Sequence, residues 1–226
     1  MHEEVEMTKK KKILIQLVVA TAGVFLMVYA VVLFNGHLLM EFSIGLRMIL
    51  MMLSQWLLFL VPGILMWRSR ESIMNLGFRK DNLLKQLAMG IFLALATSLI
   101  FTVLPILLGF EDMVGGTGYT KPWQFLYEFI HTIFGVALAE EMIFRGYLFH
   151  KLLELNQDKT KAILISSVLF GLFHIVSGNI LQVMMTALIG ILYCVLREKV
   201  PYCTTLSLII LHGMYDALIA VWLFLL

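Results

Sequence analysis

The 226-residue chain is 61% hydrophobic and only 14% charged, and its mean hydropathy is +0.92. Soluble globular domains carry about 25% charged residues, so this composition excludes that class and indicates a polytopic membrane protein. The formal net charge is only +2, which gives no basis for nucleic-acid binding. We therefore interpret the lysines and arginines as signals of membrane topology.

Seven apolar segments are close to the roughly 20 residues that a helix needs to cross a bilayer. We predict an all-α bundle of about seven transmembrane helices in the cell membrane, and the first segment is too long to be a signal-peptide core. The predicted spans are residues 13–34, 48–67, 86–109, 124–149, 161–177, 180–197 and 202–225.

The basic residues orient these spans. With a cytoplasmic N-terminus, 14 of the 17 lysines and arginines lie in cytoplasmic segments, two (Arg47 and Lys121) lie outside, and Arg145 lies within a span. This bias follows the positive-inside rule. We predict a cytoplasmic N-terminus and an outer C-terminus.

Local signals refine the boundaries. Pro122 is expected to begin span four, with a cap at Thr120-Lys121, and Pro201 is expected to begin span seven. The segment 68–86 mixes basic and apolar residues, which fits an interfacial segment or a solvated loop.

The two cysteines, Cys194 and Cys203, are expected to be reduced and packed in the interior rather than joined in a disulfide.

Three short polar motifs interrupt the apolar spans. Each ionisable side chain costs roughly 2.5 to 3.5 kcal/mol on insertion into a bilayer, so a cluster of them predicts a functional site. The motifs are Ala139-Glu140-Glu141-Met142-Ile143-Phe144-Arg145, Phe170-Gly171-Leu172-Phe173-His174 and His212-Gly213-Met214-Tyr215-Asp216.

The motifs share one depth. At a rise of about 1.5 Å per residue, Glu140, His174 and His212 lie roughly 15 to 20 Å from the cytoplasmic ends of their spans. All three are therefore in the middle third of the membrane. A site shared by spans four, five and seven is predicted.

Within span four, Glu141 and Arg145 have the i,i+4 spacing and order that favour a helical ion pair. Glu140 is turned about 100° from Glu141, so it is free to face another helix.

Within span seven, His212 and Asp216 are also four residues apart and share one helix face. Gly213 lies beside them and permits a neighbouring helix to approach closely.

In this order on successive helices, Glu-Glu-x-x-x-Arg, Phe-x-x-x-His and His-x-x-x-Asn/Asp resemble the CAAX-protease and bacteriocin-processing enzyme family, also called the type II CAAX prenyl endopeptidase or Abi family. The resemblance covers about residues 120–226, the expected catalytic core. Residues 1–119 resemble it only as extra membrane helices and add little to the resemblance. The whole is expected to form one membrane domain.

The resemblance implies an intramembrane endopeptidase that hydrolyses a membrane-associated peptide or protein and needs no cofactor. Glu140 would be the general base with His174, and His212 with Asp216 would stabilise the oxyanion. Glu141 and Arg145 would brace the site.

Three alternatives stay open. Glu140, His174, His212 and Asp216 are also plausible zinc ligands by type, and prenyl-protease members carry asparagine where this chain has Asp216. The second alternative is a catalytically idle scaffold or immunity protein of the same family. The third, a proton-coupled transporter, is disfavoured because the sequence has no second symmetric half.

Overall fold

The computed structural model describes residues 2–178 and 180–226, and within these ranges every regular element is helical. Seven long helices contain most of the described residues. They are α1 (His2–Leu33, continued by the turns Phe34–Leu38 and Leu39–Glu41), α2 (Ile44–Ser69), α3 (Leu83–Leu107), α4 (122–156), α5 (Lys159–Val176), α6 (Ile180–Lys199) and α7 (Thr205–Leu225).

The helices have the length and composition of membrane spans. Six of the seven described helices, all except α4, are both long and apolar enough to cross a bilayer. Helix α4 is longer than most of them, but it carries Glu140, Glu141 and Arg145 in its middle. Many large apolar side chains on the outside of the bundle are exposed, as expected where lipid is the solvent. The chain is a multi-pass integral membrane protein, and the prediction of about seven spans is consistent with the structure.

Helix α7 lies at the centre of the half that carries the motifs. It packs against α3 on one side and α4 on the other, while α5 packs against α6. Helix α1 packs against the second half of α2 and the C-terminal end of α4. Because the C-terminal part of α4 also packs against α5, the helices that carry the three motifs lie together.

The start of α4 follows the prediction. The helix begins at Pro122, and the side-chain Oε1 of Gln124 accepts hydrogen bonds from the backbone N–H groups of Thr120 and Lys121 at 3.1 and 2.9 Å. These two amides belong to the residues just before the helix, where backbone donors lack helical partners.

The start of α7 does not follow the prediction, so the assignment to Pro201 is wrong. Pro201 lies in the turn before the helix, and α7 begins at Thr205. The side chain of Ser207 accepts a hydrogen bond from the backbone N–H of Thr204 at 3.1 Å. This capping interaction sets the start of the helix four residues beyond Pro201.

The segment between α2 and α3 is partly inserted into the bundle. Leu76 is only 1% exposed, and its carbonyl accepts a hydrogen bond from the hydroxyl of Thr205. Gly77 has a left-handed φ of +89°, and a Cβ at this position would lie 2.6 Å from Oγ1 of Thr205. The segment therefore closes one end of the bundle beside the start of α7.

Both cysteines are free and buried, as predicted. Cys203 lies in the turn between α6 and α7, and burial raises the pKa of its thiol to about 12. It is therefore a packing residue with little thiolate at neutral pH.

Candidate active site

Helix α4 carries the two acids on a short α-helical turn between two wider segments. Leu138–Glu141 is α-helical, whereas Thr132–Ala137 and Met142–Leu148 on either side are π-helical. Such π segments are rare and occur frequently at functional sites, because the extra residue per turn re-aims the neighbouring side chains. The sequence pattern gave no sign of them.

Glu141 is the buried centre of the site's ionic contacts. It is 0% exposed, and its Oε1 lies 3.0 Å from a terminal nitrogen of Arg145. The predicted i,i+4 ion pair is thus present. The same oxygen lies 2.8 Å from Nδ1 of His212 on α7, a contact that links the first and third motifs directly.

Arg145 is held in place by aromatic rings as well as by its ion pair. Its guanidinium carbon lies 3.9 Å from the ring centroid of Phe170 and 5.2 Å from that of Tyr193. Cations over ring faces are attracted by the ring quadrupole, more strongly where water is excluded. Arg145 is 1% exposed, so its charge acts on Glu141 through an environment that screens it little.

His212 is surrounded by three carboxylates. In addition to the Glu141 contact at Nδ1, its Nε2 lies 3.3 Å from Oδ2 of Asp216 and 3.9 Å from Oε2 of Glu140. The predicted shared face of His212 and Asp216 is therefore observed. Because a carboxylate accepts, Nδ1 of His212 carries the proton toward Glu141.

Glu140 faces away from the Glu141–Arg145 pair, as its position on the helix predicted. Its side chain is 6% exposed, and Oε2 makes no hydrogen bond to any residue that the structure describes. A buried carboxylate oxygen without a donor is costly. The Glu140 side chain also lies in the wall of a cavity.

His174 lies where α5 changes from α-helix to a 3-10 turn. It is the residue after Lys159–Phe173 and the first of His174–Ser177. Its Nδ1 lies 2.9 Å from the carbonyl oxygen of Phe170, so Nδ1 donates and Nε2 carries the lone pair in the neutral ring.

A central cavity of about 900 Å³ joins these side chains. Glu140, His174, His212 and Asp216 all lie in its wall, whereas Glu141 and Arg145 are buried behind it. The remaining polar lining consists of Gln182, Thr186, Tyr193 and Tyr215.

The apolar wall of the central cavity comes from two further helices. Helix α3 contributes Ile100, Phe101 and Leu104, and α6 contributes Met185 and Ile189. Helix α3, which lies outside the segment that carries the three motifs, therefore forms part of the cavity wall.

Gly213 sets the position of His212, as predicted. A Cβ on Gly213 would lie 2.5 Å from the Cα of Ile133 on α4, so α7 approaches the π-helical turn of α4 as closely as backbones can. The hydroxyl of Thr132 donates to the carbonyl of Gly213 at 2.7 Å. This contact holds the two helices in register and brings His212 to Glu141.

The four residues considered as zinc ligands all line the central cavity. Across residues 2–178 and 180–226, no three His, Cys, Asp or Glu side chains form a group suited to a metal ion. Both ring nitrogens of His212 are directed at carboxylates, Nδ1 at Glu141 and Nε2 at Asp216.

Residues 121–218 match the family model of type II CAAX prenyl endopeptidase Rce1-like proteins. This segment is similar to Rce1-like proteins. The Rce1-like segment contains all six predicted site residues, although it covers less than half of the chain. No curated protein and no solved structure matches the chain. The family predicted from the motifs is confirmed.

Two features of the Rce1-like segment were not predicted from the sequence, the position of Tyr193 and the contact between Glu141 and His212. Tyr193 is 1% exposed, and its ring centroid lies 5.7 Å from that of His212, yet a tyrosine in an apolar helix has no distinguishing pattern. The contact between Glu141 and His212 was also missed, because Glu141 was assigned only to Arg145.

Proposed function

We propose that this protein is an intramembrane endopeptidase that hydrolyses a peptide bond with water activated by Glu140 and His174. The observation that carries the proposal is the central cavity, which brings Glu140, His174, His212 and Asp216 into one wall deep among apolar helices. A scaffold has no need of a cavity in which acids and histidines converge.

Glu140 is suited to the role of general base. Its side chain lies in the cavity wall and has one oxygen without a hydrogen bond to the described residues, and a base must lie within hydrogen-bond reach of the water that it deprotonates. In the proposed reaction, Glu140 takes a proton from water, and the resulting hydroxide attacks the carbonyl carbon of the substrate. The proton then passes to the leaving amine as the carbon–nitrogen bond breaks.

His174 is suited to orient the same water. The carbonyl of Phe170 holds its Nδ1–H, so Nε2 is the acceptor of the neutral ring. A base with a second positioned acceptor holds the water in one orientation, which lowers the entropic part of the barrier.

His212 is suited to stabilise the oxyanion of the tetrahedral intermediate. Glu141 accepts from Nδ1 at 2.8 Å, and this charge stabilises a doubly protonated ring whose Nε2–H faces the cavity. Donors aimed at developing charge in a dry site are among the largest contributors to catalysis. Asp216, at 3.3 Å from Nε2, orients the ring until substrate arrives.

The substrate class follows from the cavity and the membrane setting. Apolar side chains from α3 and α6 form much of the wall, so the substrate that we propose is a membrane-associated peptide or protein presenting an apolar segment. The matching family is described as prenyl endopeptidases, which agrees with this class.

Cleavage by purified protein tests the proposal. The protein in detergent is incubated with peptides extracted from its own membranes, and new termini are identified by mass spectrometry. We expect cleavage by the parent, none by Glu140→Ala, and full activity after treatment with a chelator. Cleavage lost on chelation and restored by zinc would support the metal-dependent alternative, and absence of cleavage by the parent would favour the scaffold.

A further inference from the structure

A second cavity, the end cavity, lies where α4 and α6 end and α7 begins. Its volume is about 440 Å³, and it shares no lining residue with the central cavity. Charged side chains from three parts of the chain meet in its wall. They are Arg79, His150, Arg197, Glu198 and Lys199.

Positive charge is in excess at the end cavity. Arg79, Arg197 and Lys199 are opposed by a single acid, Glu198, and that acid is already engaged by Lys159 outside the cavity at 2.7 Å. Its second oxygen lies 3.6 Å from Arg197. Like charges gathered around one cavity repel each other unless an anion joins them.

Arg197 is fixed in the wall before any ligand arrives. Its side chain is only 10% exposed, and it donates to the backbone carbonyl of Arg145. Its guanidinium carbon lies 4.3 Å from the ring centroid of Phe149. A guanidinium held in this way loses little freedom on binding, and its planar fork matches the oxygens of phosphate.

The surroundings combine polar and apolar groups as a lipid headgroup requires. Tyr202 in the cavity wall is 41% exposed, and Ile73 on the adjoining segment is 51% exposed. The cavity lies at the ends of membrane-spanning helices, the level at which basic pockets contact anionic headgroups.

We propose that the end cavity binds a phosphate group, carried by an anionic phospholipid or present as free phosphate. A phosphate monoester carries about −1.5 to −2 charges near pH 7, which matches the excess of three cations over one acid. Arg197 also donates to the carbonyl of Arg145, which belongs to the π-helical segment Met142–Leu148 behind the central cavity. The bound phosphate therefore stabilises this segment. This proposal does not depend on the proposed peptidase activity.

Binding to the full-length protein in bilayers tests the proposal. The protein is placed in nanodiscs of phosphatidylcholine with or without phosphatidic acid, and bound lipid is counted by native mass spectrometry while the unfolding temperature is measured. A parallel arm adds inorganic phosphate to the protein in neutral detergent, with chloride at equal ionic strength as reference.

The variant Arg79→Gln/Lys199→Gln removes two exposed cations from the cavity wall. The matched control is Lys11→Gln/Lys80→Gln, which removes the same charge from exposed positions outside it. We expect the cavity variant to weaken retention of phosphatidic acid by at least about tenfold and to lose the thermal shift, with the control unchanged.

The outcomes separate the two sources of phosphate. Retention of phosphatidic acid without a response to inorganic phosphate identifies a lipid headgroup, and stabilisation by both identifies the phosphate group itself. Equal weakening by the cavity variant and the control would overturn the proposal, and so would no preference for phosphatidic acid together with no response to phosphate.

Discussion

Helix α4 passes through two buried groups of charges that differ in how completely they are paired. At its C-terminal end, Lys151 is 4% exposed and contacts Glu71 and Glu154 at 2.8 Å each. In its middle, Glu140, Glu141 and Asp216 face Arg145 and His212, and two of the carboxylate oxygens lack a hydrogen bond within the described residues.

The less completely paired group, in the middle of α4, is the one suited to chemistry. Lys151 forms an ion pair with each of its two partners and lines neither of the two cavities described above. The charges at the C-terminal end of α4 therefore stabilise the fold. The central group has three carboxylates against Arg145 and His212, and Glu140, which has one oxygen without a hydrogen bond to the described residues, lies in a cavity wall. A buried polar atom left without a partner is costly and is retained where it has a function.

Glu140→Gln should produce the largest effect on activity. The amide keeps the shape of the side chain but cannot take a proton, so peptide cleavage should fall by about 10²- to 10⁴-fold. Yield and unfolding temperature should stay close to those of the parent, measured on the same purified samples. Activity above a few per cent of the parent would transfer the role of base to Glu141.

Arg145→Ala should act on stability instead. It leaves Glu141, which is 0% exposed, with only His212 as an ionic partner among the described residues, and breaking a buried pair in this way costs about 3 to 5 kcal/mol. Lower yield and a lower unfolding temperature in detergent are expected. Unchanged stability combined with lost cleavage would place Arg145 in the chemistry.

Lys151→Met should have a smaller effect on stability and none on the chemistry. Its partners are 12% and 34% exposed, so water relieves part of the loss and we expect about 1 to 2 kcal/mol of destabilisation. Cleavage per folded molecule should equal that of the parent. A selective loss of cleavage would remove the distinction between the two groups.

Asp216→Asn should have the smallest effect. The side chain is 31% exposed, and the amide keeps its shape and can donate to an oxyanion, so activity should survive within about tenfold, or roughly 1.4 kcal/mol. Chelators should not change the rate. Collapse of activity together with stoichiometric zinc in the purified parent would contradict this prediction.

Spacing within one helix was sufficient to predict part of the site. The pair Glu141–Arg145 and the pair His212–Asp216 follow from the i,i+4 rule, and both are present. The rotation of Glu140 by about 100° from Glu141 around the helix follows from the same geometry. Contacts of this kind depend only on local backbone regularity.

Contacts between helices could not be predicted in the same way. The bond from His212 to Glu141 depends on the close approach at Gly213 and on the π-helical turns of α4, and no residue pattern specifies where a π turn forms. The insertion of Leu76 and the contribution of α3 to the cavity wall are tertiary features of segments with ordinary apolar composition.

Incorporation of heavy oxygen from solvent tests the central claim most directly. The parent and Glu140→Gln are each incubated with membrane peptides in water enriched in ¹⁸O, and the new C-termini are examined by mass spectrometry. We expect new carboxyl groups carrying one solvent oxygen with the parent and none with Glu140→Gln. Equal labelling by both proteins would contradict the claim that Glu140 activates the attacking water.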